Sequence, residues 1–506
     1  MTVSAKDYHE KTSYDREDMR GHSLGVFDQP SVFKSYPGAE TVPLPSDVAW
    51  PHEYLSDLAE AGMEPDPSAE FGLGRLARIL ALTQALTAKA RYGGVDFYFR
   101  SVASAGALYP FELYVAAQEM TGLVAGLYHH TLELNALTRL RSGDAVPLVA
   151  EAVSLGGSSP PALVFMLTAI FYRSSWKYRE RAFRYHLLDT GHLLENLALA
   201  LRCDRARFKI FCDFDDRLLN ELLAVDPDRE VCLAVAAVWG GVGRRESVET
   251  LSKPVEGAAA ASRVAGREMD YPAIRVIHEA SSRVIPVVEA PSMLNSLGVG
   301  PTNEILASAP AQWPSVMSHA EAIIKRRSMR NFVPAELPGD CMEAFLAALC
   351  AEPLSRSDAE PTAGAAVAVG FLAERVQGIA PGLYLLDRKN RSFGLVRGGS
   401  FTEDMAHVCL GKGWLANSAI HFLFLSNLDL LELTWGPRGY RYTMLTAGRL
   451  GQRLYLTATS MRIGVCGIGA FYDKEARALL GLNENTRLLY LVAAGPVRKW
   501  AAGETR

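Results

Sequence analysis

The chain repeats itself at an interval of 257 residues, and this duplication restricts its fold more than any other feature of the sequence. The motif Arg181-x-x-Arg184-Tyr185 returns as Arg438-x-x-Arg441-Tyr442. The same interval places further identical residues opposite one another: Ala162 and Ala419, Phe165 and Phe422, Leu188 and Leu445, Gly191 and Gly448, Phe214 and Phe471, Asp216 and Asp473. Solenoid units are only about 20–50 residues long. The long interval therefore indicates a duplicated domain.

Each half is expected to contain the same series of elements. Short apolar runs rich in branched and aromatic residues predict buried strands at Glu112–Ala117, Ala162–Ile170, Val231–Val238, Ala366–Leu372, Ala419–Ser426 and Leu488–Ala494. Leucine spacing predicts helices at Leu73–Ala88, Tyr185–Arg202 and Tyr442–Ser460. Strands and helices do not alternate strictly, which favours an α+β fold over a doubly wound sheet.

The duplication and the local composition predict four segments. Residues 1–60 are polar and turn-rich and are expected to form an extended arm. Residues 61–245 form the first domain and 315–506 the second. The intervening stretch 246–314 is rich in Ala, Ser, Gly and Pro, which is typical of a linker.

Composition excludes several classes of function. With 506 residues, 49% hydrophobic residues and a net charge of −4, the chain can form a sizeable core and has no basic surface for nucleic acid. Seven cysteines without a Cys-x-x-Cys pair argue against a zinc site or a disulfide framework and for a reducing compartment. No signal peptide or membrane span is apparent, so we expect a soluble cytoplasmic protein.

Two segments combine small residues with glycine, which lets backbone approach a flat ligand closely. The first, Arg100–Pro110, contains Ser104-Ala105-Gly106-Ala107; a turn leading into the strand at Glu112 is the alternative interpretation. The second, Gly464–Phe471, contains Gly467-Ile468-Gly469. It lacks the strand–Gly-x-Gly-x-x-Gly–helix order of a dinucleotide site.

Two further segments carry charged or ionisable groups. Lys325–Phe332 holds Arg326, Arg327, Ser328 and Arg330, a set that suits a phosphate or, equally, a solvated basic face. Lys177-Tyr178 pairs a potential proton acceptor with a donor, although such pairs are also common on surfaces. Its repeat partner is Thr434-Trp435, so only the first copy could use it.

Together these segments resemble the azoline dehydrogenase (SagB-type) branch of the nitroreductase superfamily. That branch typically reads Arg-Pro-Ser-Pro-Ser-Gly-Gly-Ala-Leu-Tyr-Pro and Lys-Tyr-Gly-x-Arg-x-Tyr-Arg-Tyr, to which Arg100–Pro110 and Lys177–Tyr185 are similar. Lys325–Phe332 is similar to the Arg-Arg-Ser-x-Arg-x-Phe phosphate signature of nitroreductases. The resemblance implies two domains, each a central antiparallel sheet flanked by helices, that form an intramolecular pseudo-dimer.

The resemblance also implies FMN bound between the copies. The cofactor-binding residues would be Arg100, Ser104, Ala105, Gly106 and Ala107 from the first copy and Arg326, Arg327, Ser328, Arg330, Gly467, Ile468 and Gly469 from the second. Each half lacks what the other supplies, so we expect one complete flavin site and one degenerate site per chain. Lys177 and Tyr178 would be catalytic, and no metal is expected.

The implied activity is FMN-dependent dehydrogenation of a thiazoline or oxazoline ring in a peptide or natural-product intermediate. Two alternatives stay open: an NAD(P)H-dependent nitro or quinone reductase, and a flavin-binding, non-catalytic partner subunit of a biosynthetic complex. The expected partners are a small-molecule or peptide substrate, with neither nucleic acid nor membrane. The pseudo-dimer could be monomeric or could dimerise further.

Overall fold

A computed structural model describes residues 4–17, 25, 28–59, 65–66, 70–92, 95–156, 159–241, 250–285, 291–307, 312–351 and 364–498. Helices in this part of the chain are α1 (Ala5–Lys11), α2 (Leu55–Ala59), α3 (Leu73–Thr83), α4 (Val146–Ala152), α5 (Phe171–Tyr178), α6 (Ala182–Cys203), α7 (Asp216–Leu223), α8 (Pro272–Ala280), α9 (His319–Lys325), α10 (Gly339–Cys350), α11 (Thr402–Val408), α12 (Leu428–Trp435), α13 (Gly439–Ser460) and α14 (Asp473–Leu480). Its strands are β1 (Thr41–Pro43), β2 (Leu86–Tyr92), β3 (Val95–Arg100), β4 (Phe111–Ala117), β5 (Gly126–Thr131), β6 (Ala136–Ser142), β7 (Leu163–Ile170), β8 (Arg207–Phe211), β9 (Glu230–Trp239), β10 (Asn303–Leu306), β11 (Ala368–Ala373), β12 (Gly382–Asp387), β13 (Ser392–Gly398), β14 (Ile420–Asn427), β15 (Gly464–Ile468) and β16 (Thr486–Gly495).

Two seven-stranded sheets have the same topology within the described residues. The first has the order β1-β6-β5-β4-β7-β9-β8, and the second has the order β10-β13-β12-β11-β14-β16-β15. Neighbouring strands pair antiparallel throughout, and the central strands β7 and β14 are buried along their whole length. The duplication therefore extends to strand order, which confirms the predicted α+β fold with two copies.

The predicted buried strands and long helices are all present with shifted ends, and one predicted helix is shorter. Leu73–Ala88 was expected to be helical, but α3 ends at Thr83 and Leu86 begins β2. β2 pairs with β3 in a two-stranded hairpin. This cross-strand pairing overrides the leucine spacing, because strand preference depends on the partner strand.

The long helices α6 and α13 pack against each other at paired glycines. A Cβ on Gly191 would lie 2.3 Å from the Leu445 carbonyl oxygen, and one on Gly448 would lie 2.2 Å from that of Leu188. Glycine in a helix interior costs about 1 kcal/mol relative to alanine. Here it permits a contact between the two helix backbones that any side chain would prevent. The two glycines occupy equivalent positions in the repeat, so each copy contributes one of them.

The repeated Arg-x-x-Arg motifs bind across the interface in a reciprocal manner. Arg181 and Arg184 of the first copy form ion pairs with Asp473 of the second at 2.8 and 2.7 Å. The repeat partners do the converse, since Arg438 and Arg441 bind Asp216 at 2.9 and 2.5 Å. Each copy therefore anchors the other, as the subunits of a symmetric dimer do.

The arm and the expected linker occupy equivalent positions. Helix α1 packs beside α12 of the second copy, and its His9 carbonyl accepts from Arg184 of the first copy. Helix α8 packs beside the turn Arg179–Arg181 of the first copy, and its His278 carbonyl accepts from Arg441 of the second copy. Strand β1 then adds to the edge of the first sheet and β10 to the edge of the second. The stretch 246–314 thus contains the second copy's counterpart of residues 1–60.

Candidate functional site

A cleft of about 170 Å³ opens between the two copies. The first copy lines it with Ala103, Ser104, Ala105, Gly106, Tyr178, Tyr185, Leu188, Asp189 and His192. The second copy lines it with Ser328, Arg330, Lys412, Trp414, Tyr455, Cys466, Gly467, Ile468, Gly469, Ala470 and Tyr490. A larger hollow of about 450 Å³ beside α1 has acidic and basic walls and includes none of the predicted site residues. The cleft is therefore the candidate site.

The Ser104–Ala107 segment forms one wall of the cleft. It is a single 3₁₀ turn in which Gly106 has a φ of 68°. A Cβ at Gly106 would lie 2.9 Å from Tyr178 Oη and 3.3 Å from Lys177 Nζ. Both the backbone angle and the space require glycine. The Lys177–Tyr178 pair therefore converges on this segment, although only Tyr178 lines the cleft.

The predicted glycine turn is the end of a strand. Gly467 and Ile468 complete β15, and Gly469 follows it. A Cβ on Gly467 would lie 1.8 Å from Tyr490 Oη, and one on Gly469 would lie 2.6 Å from the Tyr185 ring. The two glycines thus make room for tyrosines that line the cleft.

Hydroxyl groups connect this strand to the basic motif. Tyr455 Oη accepts from the Gly467 amide at 2.7 Å and lies 2.9 Å from Ser328 Oγ. Tyr185 Oη donates to the Gly469 carbonyl at 3.1 Å.

The arginines of the basic motif divide into two groups. Arg326 is buried and donates to the carbonyls of Ser101 and Arg100 at 2.5 and 3.0 Å, and Arg327 donates to Thr87. These two fasten the second copy to the first. Arg330 lines the cleft.

The structure therefore brings together nine of the fourteen candidate residues. Ser104, Ala105, Gly106, Tyr178, Ser328, Arg330, Gly467, Ile468 and Gly469 line the cleft. The side chain of Arg100 is 1% exposed and donates to the Val32 carbonyl and Gln84. The other residues that do not line the cleft are Ala107, Lys177, Arg326 and Arg327.

Sequence reasoning missed several lining residues, chiefly Asp189, His192, Lys412, Trp414, Tyr455 and Tyr490. For two of them the duplication contained a signal. Asp189 lies opposite Thr446 in the repeat, and His192 lies opposite Arg449. Such differences between polar residues at equivalent positions of two otherwise similar buried helices indicate where the two copies differ in function.

Burial controls the ionisation of the cleft. It raises the pKa of Asp189 to about 7, although hydrogen bonds from Ser104 and Ala105 oppose the shift. It lowers the pKa of His192 to about 4, so this imidazole is neutral at pH 7. Burial, with Arg330 nearby, also lowers the pKa of Lys412, and burial raises that of Tyr178 well above its usual value.

The pseudo-symmetric position in the other half is bridged by charged groups. Ile210-Phe211-Cys212 stands there in place of Gly467-Ile468-Gly469. The next residue, Asp213, accepts from Tyr442 and from Arg438. At the cleft, neutral His192 lies 2.7 Å from Gln452. At the equivalent position of the other half, their repeat partners Arg449 and Glu195 form an ion pair at 2.7 Å. Only one of the two positions keeps the glycine strand end.

The described part of the chain contains neither a metal-binding cluster nor a membrane-spanning helix. No cluster of three or more His, Cys, Asp or Glu side chains there is arranged to hold a metal ion. Among the described helices, none combines the length and apolar character needed to cross a membrane.

Comparisons with known proteins identify the fold. Residues 323–496 match the Nitroreductase family. A protein of Methanocaldococcus jannaschii named among the nitroreductases is 28% identical over 172 residues, which are 33% of this chain and 87% of the relative. A crystal structure from Anabaena variabilis, also named among the nitroreductases, is 26% identical with a TM-score of 0.77, covering 98% of this chain and 99% of its own. The E. coli microcin synthetase complex McbBCD aligns at 20% identity and a TM-score of 0.30, covering 47% of this chain and 92% of the matched one.

These similarities agree with the topology. Residues 323–496 of the second half match the Nitroreductase family, and the Anabaena structure aligns with 98% of the chain, including both copies. The resemblance seen in the sequence is thus confirmed at the level of the superfamily, and the comparisons support an oxidoreductase of that superfamily.

Proposed function

We propose that the protein is an FMN-dependent oxidoreductase with one composite flavin site per chain and that it dehydrogenates an azoline ring. The observation that supports this most directly is the composite cleft. Ser104–Gly106 of the first copy faces Arg330 and Gly467–Gly469 of the second across one cavity. These are the segments that the sequence resemblance implies for a flavin site, and the chain brings them together without a second subunit.

The groups that line the cleft fit FMN chemically. Arg330 and Lys412 supply two cations, and Ser328 supplies a hydroxyl, which together suit a phosphate. Tyrosine rings and the glycine strand end suit a flat aromatic ring, because glycine lets backbone and ring approach closely. Arg326 and Arg327 would act indirectly by fixing the copies against each other.

Lys177 and Tyr178 support the azoline assignment. Bound FMN would supply a two-electron acceptor for the hydride that leaves the ring carbon. The chain must then accept the ring proton, and Tyr178 Oη and Lys177 Nζ converge on Gly106 at the wall of the cleft. We propose that this Lys177–Tyr178 pair takes up the ring proton, with Tyr178 as the member that lines the cleft.

FMN titration of the apo-protein tests the site. We expect one tight FMN per chain, with flavin fluorescence quenched on binding. Two equal tight sites per chain would contradict the single composite site. Colourless protein that FMN cannot reconstitute would contradict the flavin assignment and favour the scaffold alternative.

A matched pair of variants tests the catalytic role. Lys177→Ala should lower the rate of substrate oxidation at least 100-fold with unchanged FMN content, since general base catalysis contributes about 10²–10⁴-fold. The control is Thr434→Ala at the repeat position, where the hydroxyl only donates to the Leu430 carbonyl. Full oxidation by Lys177→Ala would remove Lys177 from the mechanism.

The similarity to the Anabaena and Methanocaldococcus proteins favours one alternative, an NAD(P)H-dependent nitro or quinone reductase. Stopped-flow mixing with NADPH distinguishes the two. Rapid bleaching of the flavin followed by turnover of a nitroaromatic would establish the reductase. Flavin that NADPH does not reduce, but an azoline peptide does, would establish the dehydrogenase.

A further inference from the structure

Asp189 differs from the other buried carboxylates that the structure describes. It lies on α6 at the cleft and is 4% exposed. No arginine or lysine among the described residues forms an ion pair with it. Each of the other buried carboxylates pairs with an arginine or lysine: Glu112, Glu195, Asp216, Glu230 and Asp473. A buried carboxylate without a cation is costly, so its presence at the site calls for a role there.

Two neutral donors hold Asp189 in place. Ser104 Oγ donates to Oδ2 at 2.6 Å, and the Ala105 amide lies 3.2 Å from Oδ1 and 3.1 Å from Oδ2. Ser104 Oγ itself accepts from the Tyr109 amide, which leaves its proton for the carboxylate. Oδ1 has the weaker contacts and is the oxygen available to carry a proton.

The neighbouring ionisable groups keep their charge near neutral pH. Burial raises the pKa of the surrounding phenols and thiol, those of Tyr178, Tyr185, Tyr455, Tyr490 and Cys466, so all of these are neutral. His192, one turn along α6, is neutral because burial lowers its pKa to about 4. Arg330 and Lys412 are the basic side chains that line the cleft, and the buried Arg326 lies near His192. Asp189, with a pKa of about 7, is the group of the cleft that changes charge there.

We propose that Asp189 is the proton-exchanging group of the cleft, protonated when FMN is bound, so that its Oδ1–H donates to an acceptor atom of the ligand. FMN binding then takes up a proton from solvent above pH 7. The inference rests on the proposed function for the identity of the ligand. The charge state of Asp189 itself is a property of the apo-protein.

The duplication makes this role specific to one side of the molecule. The repeat partner of Asp189 is Thr446, which has no proton to exchange near neutral pH. Asp189 also touches the Ser104–Gly106 wall directly, so its ionisation acts on the segment that the first copy contributes to the cleft.

Calorimetry of FMN binding in buffers of different ionisation enthalpy tests the proposal. The wild-type protein should take up roughly 0.8 proton more per FMN at pH 7.5 than Asp189→Asn, and its affinity should fall by a factor that approaches about tenfold per pH unit well above pH 7. The affinity of Asp189→Asn should lack this dependence. Asp213→Asn, a carboxylate variant of the other half, should behave as wild type. Equal proton uptake by wild type and Asp189→Asn would overturn the proposal.

Infrared spectroscopy of the apo-protein separates this inference from the proposed function. A protonated-carboxyl band should titrate near pH 7 in wild type and be missing from Asp189→Asn. If that band titrates but FMN does not bind, the flavin assignment fails and Asp189 remains the exchanging group. If no such band is lost in Asp189→Asn, the inference fails whether or not FMN binds.

Discussion

Replacing Asp473 with asparagine tests the reciprocal arrangement of the two copies. The Asp473 carboxylate holds Arg181 Nη1 at 2.8 Å and Arg184 Nη1 at 2.7 Å. All three side chains are at most 3% exposed. In Asp473→Asn, the new amide group must face one of these guanidiniums, donor against donor.

The expected loss of stability follows from that burial. Removing one partner of a buried ion pair costs about 3–5 kcal/mol, because the remaining charge is left uncompensated. The equivalent variant of the other half, Asp216→Asn, leaves Arg438 and Arg441 without their carboxylate partner in the same way. Urea unfolding followed by circular dichroism should therefore give similar losses of about 3–5 kcal/mol for both variants.

FMN binding should distinguish the two variants. Arg181 Nη2 also donates to the Gly469 carbonyl at 3.0 Å, at the strand end that lines the cleft. Arg438 donates instead to the Cys212 carbonyl, on the side that lacks the glycine strand end. Below the unfolding transition, Asp473→Asn should weaken FMN binding at least tenfold and Asp216→Asn should leave it unchanged. Losses under about 1 kcal/mol in both variants, or equal effects on FMN, would refute this reasoning.

Two further predictions concern space and protonation. Gly467→Ala should lower FMN affinity at least tenfold in a fluorescence titration, because the new Cβ would lie 1.8 Å from Tyr490 Oη. The control variant Gly300→Ala places its Cβ in open space and should bind FMN as wild type does. Equal affinities of the two variants would show that the strand end tolerates a side chain. Stability should also fall on acidification from pH 7 to 5, because buried histidines with lowered pKa values take up protons only on unfolding, each contributing up to about 1.4 kcal/mol per pH unit. Those histidines are His9, His130, His186, His192, His278, His319 and His421. A urea midpoint that stays constant between pH 7 and 5 would count against this burial.

Much of the fold could be predicted because duplication and apolar runs are local signals. The interval between Arg181 and Arg438 located the two copies, and the central strands read as uninterrupted apolar segments. The edge strands β1 and β10 were missed. They are short and form only by pairing with β6 and β13, which no local pattern reports.

The candidate site was only partly predictable, because the identity of a residue does not determine which groups its side chain contacts in the folded protein. Arg326 and Arg330 lie in one motif, yet Arg326 donates to backbone carbonyls of the other copy and Arg330 lines the cleft. In the sequence, Asp189 is only one polar residue within the leucine-rich segment Tyr185–Arg202. Its significance comes from the fact that no arginine or lysine among the described residues forms an ion pair with it, which depends on the surrounding structure.

The sequence by itself determined that the chain is two copies of one domain, and its resemblance to nitroreductases implied that each copy lacks part of a flavin site. The duplication follows from residue identity and spacing, which folding does not alter. The tertiary structure decided which fragments meet, since the glycine contact between α6 and α13 and the exchanged Arg–Asp pairs set one copy against the other. It also decided which groups can change charge, because desolvation depends on everything packed around a side chain rather than on the residue itself.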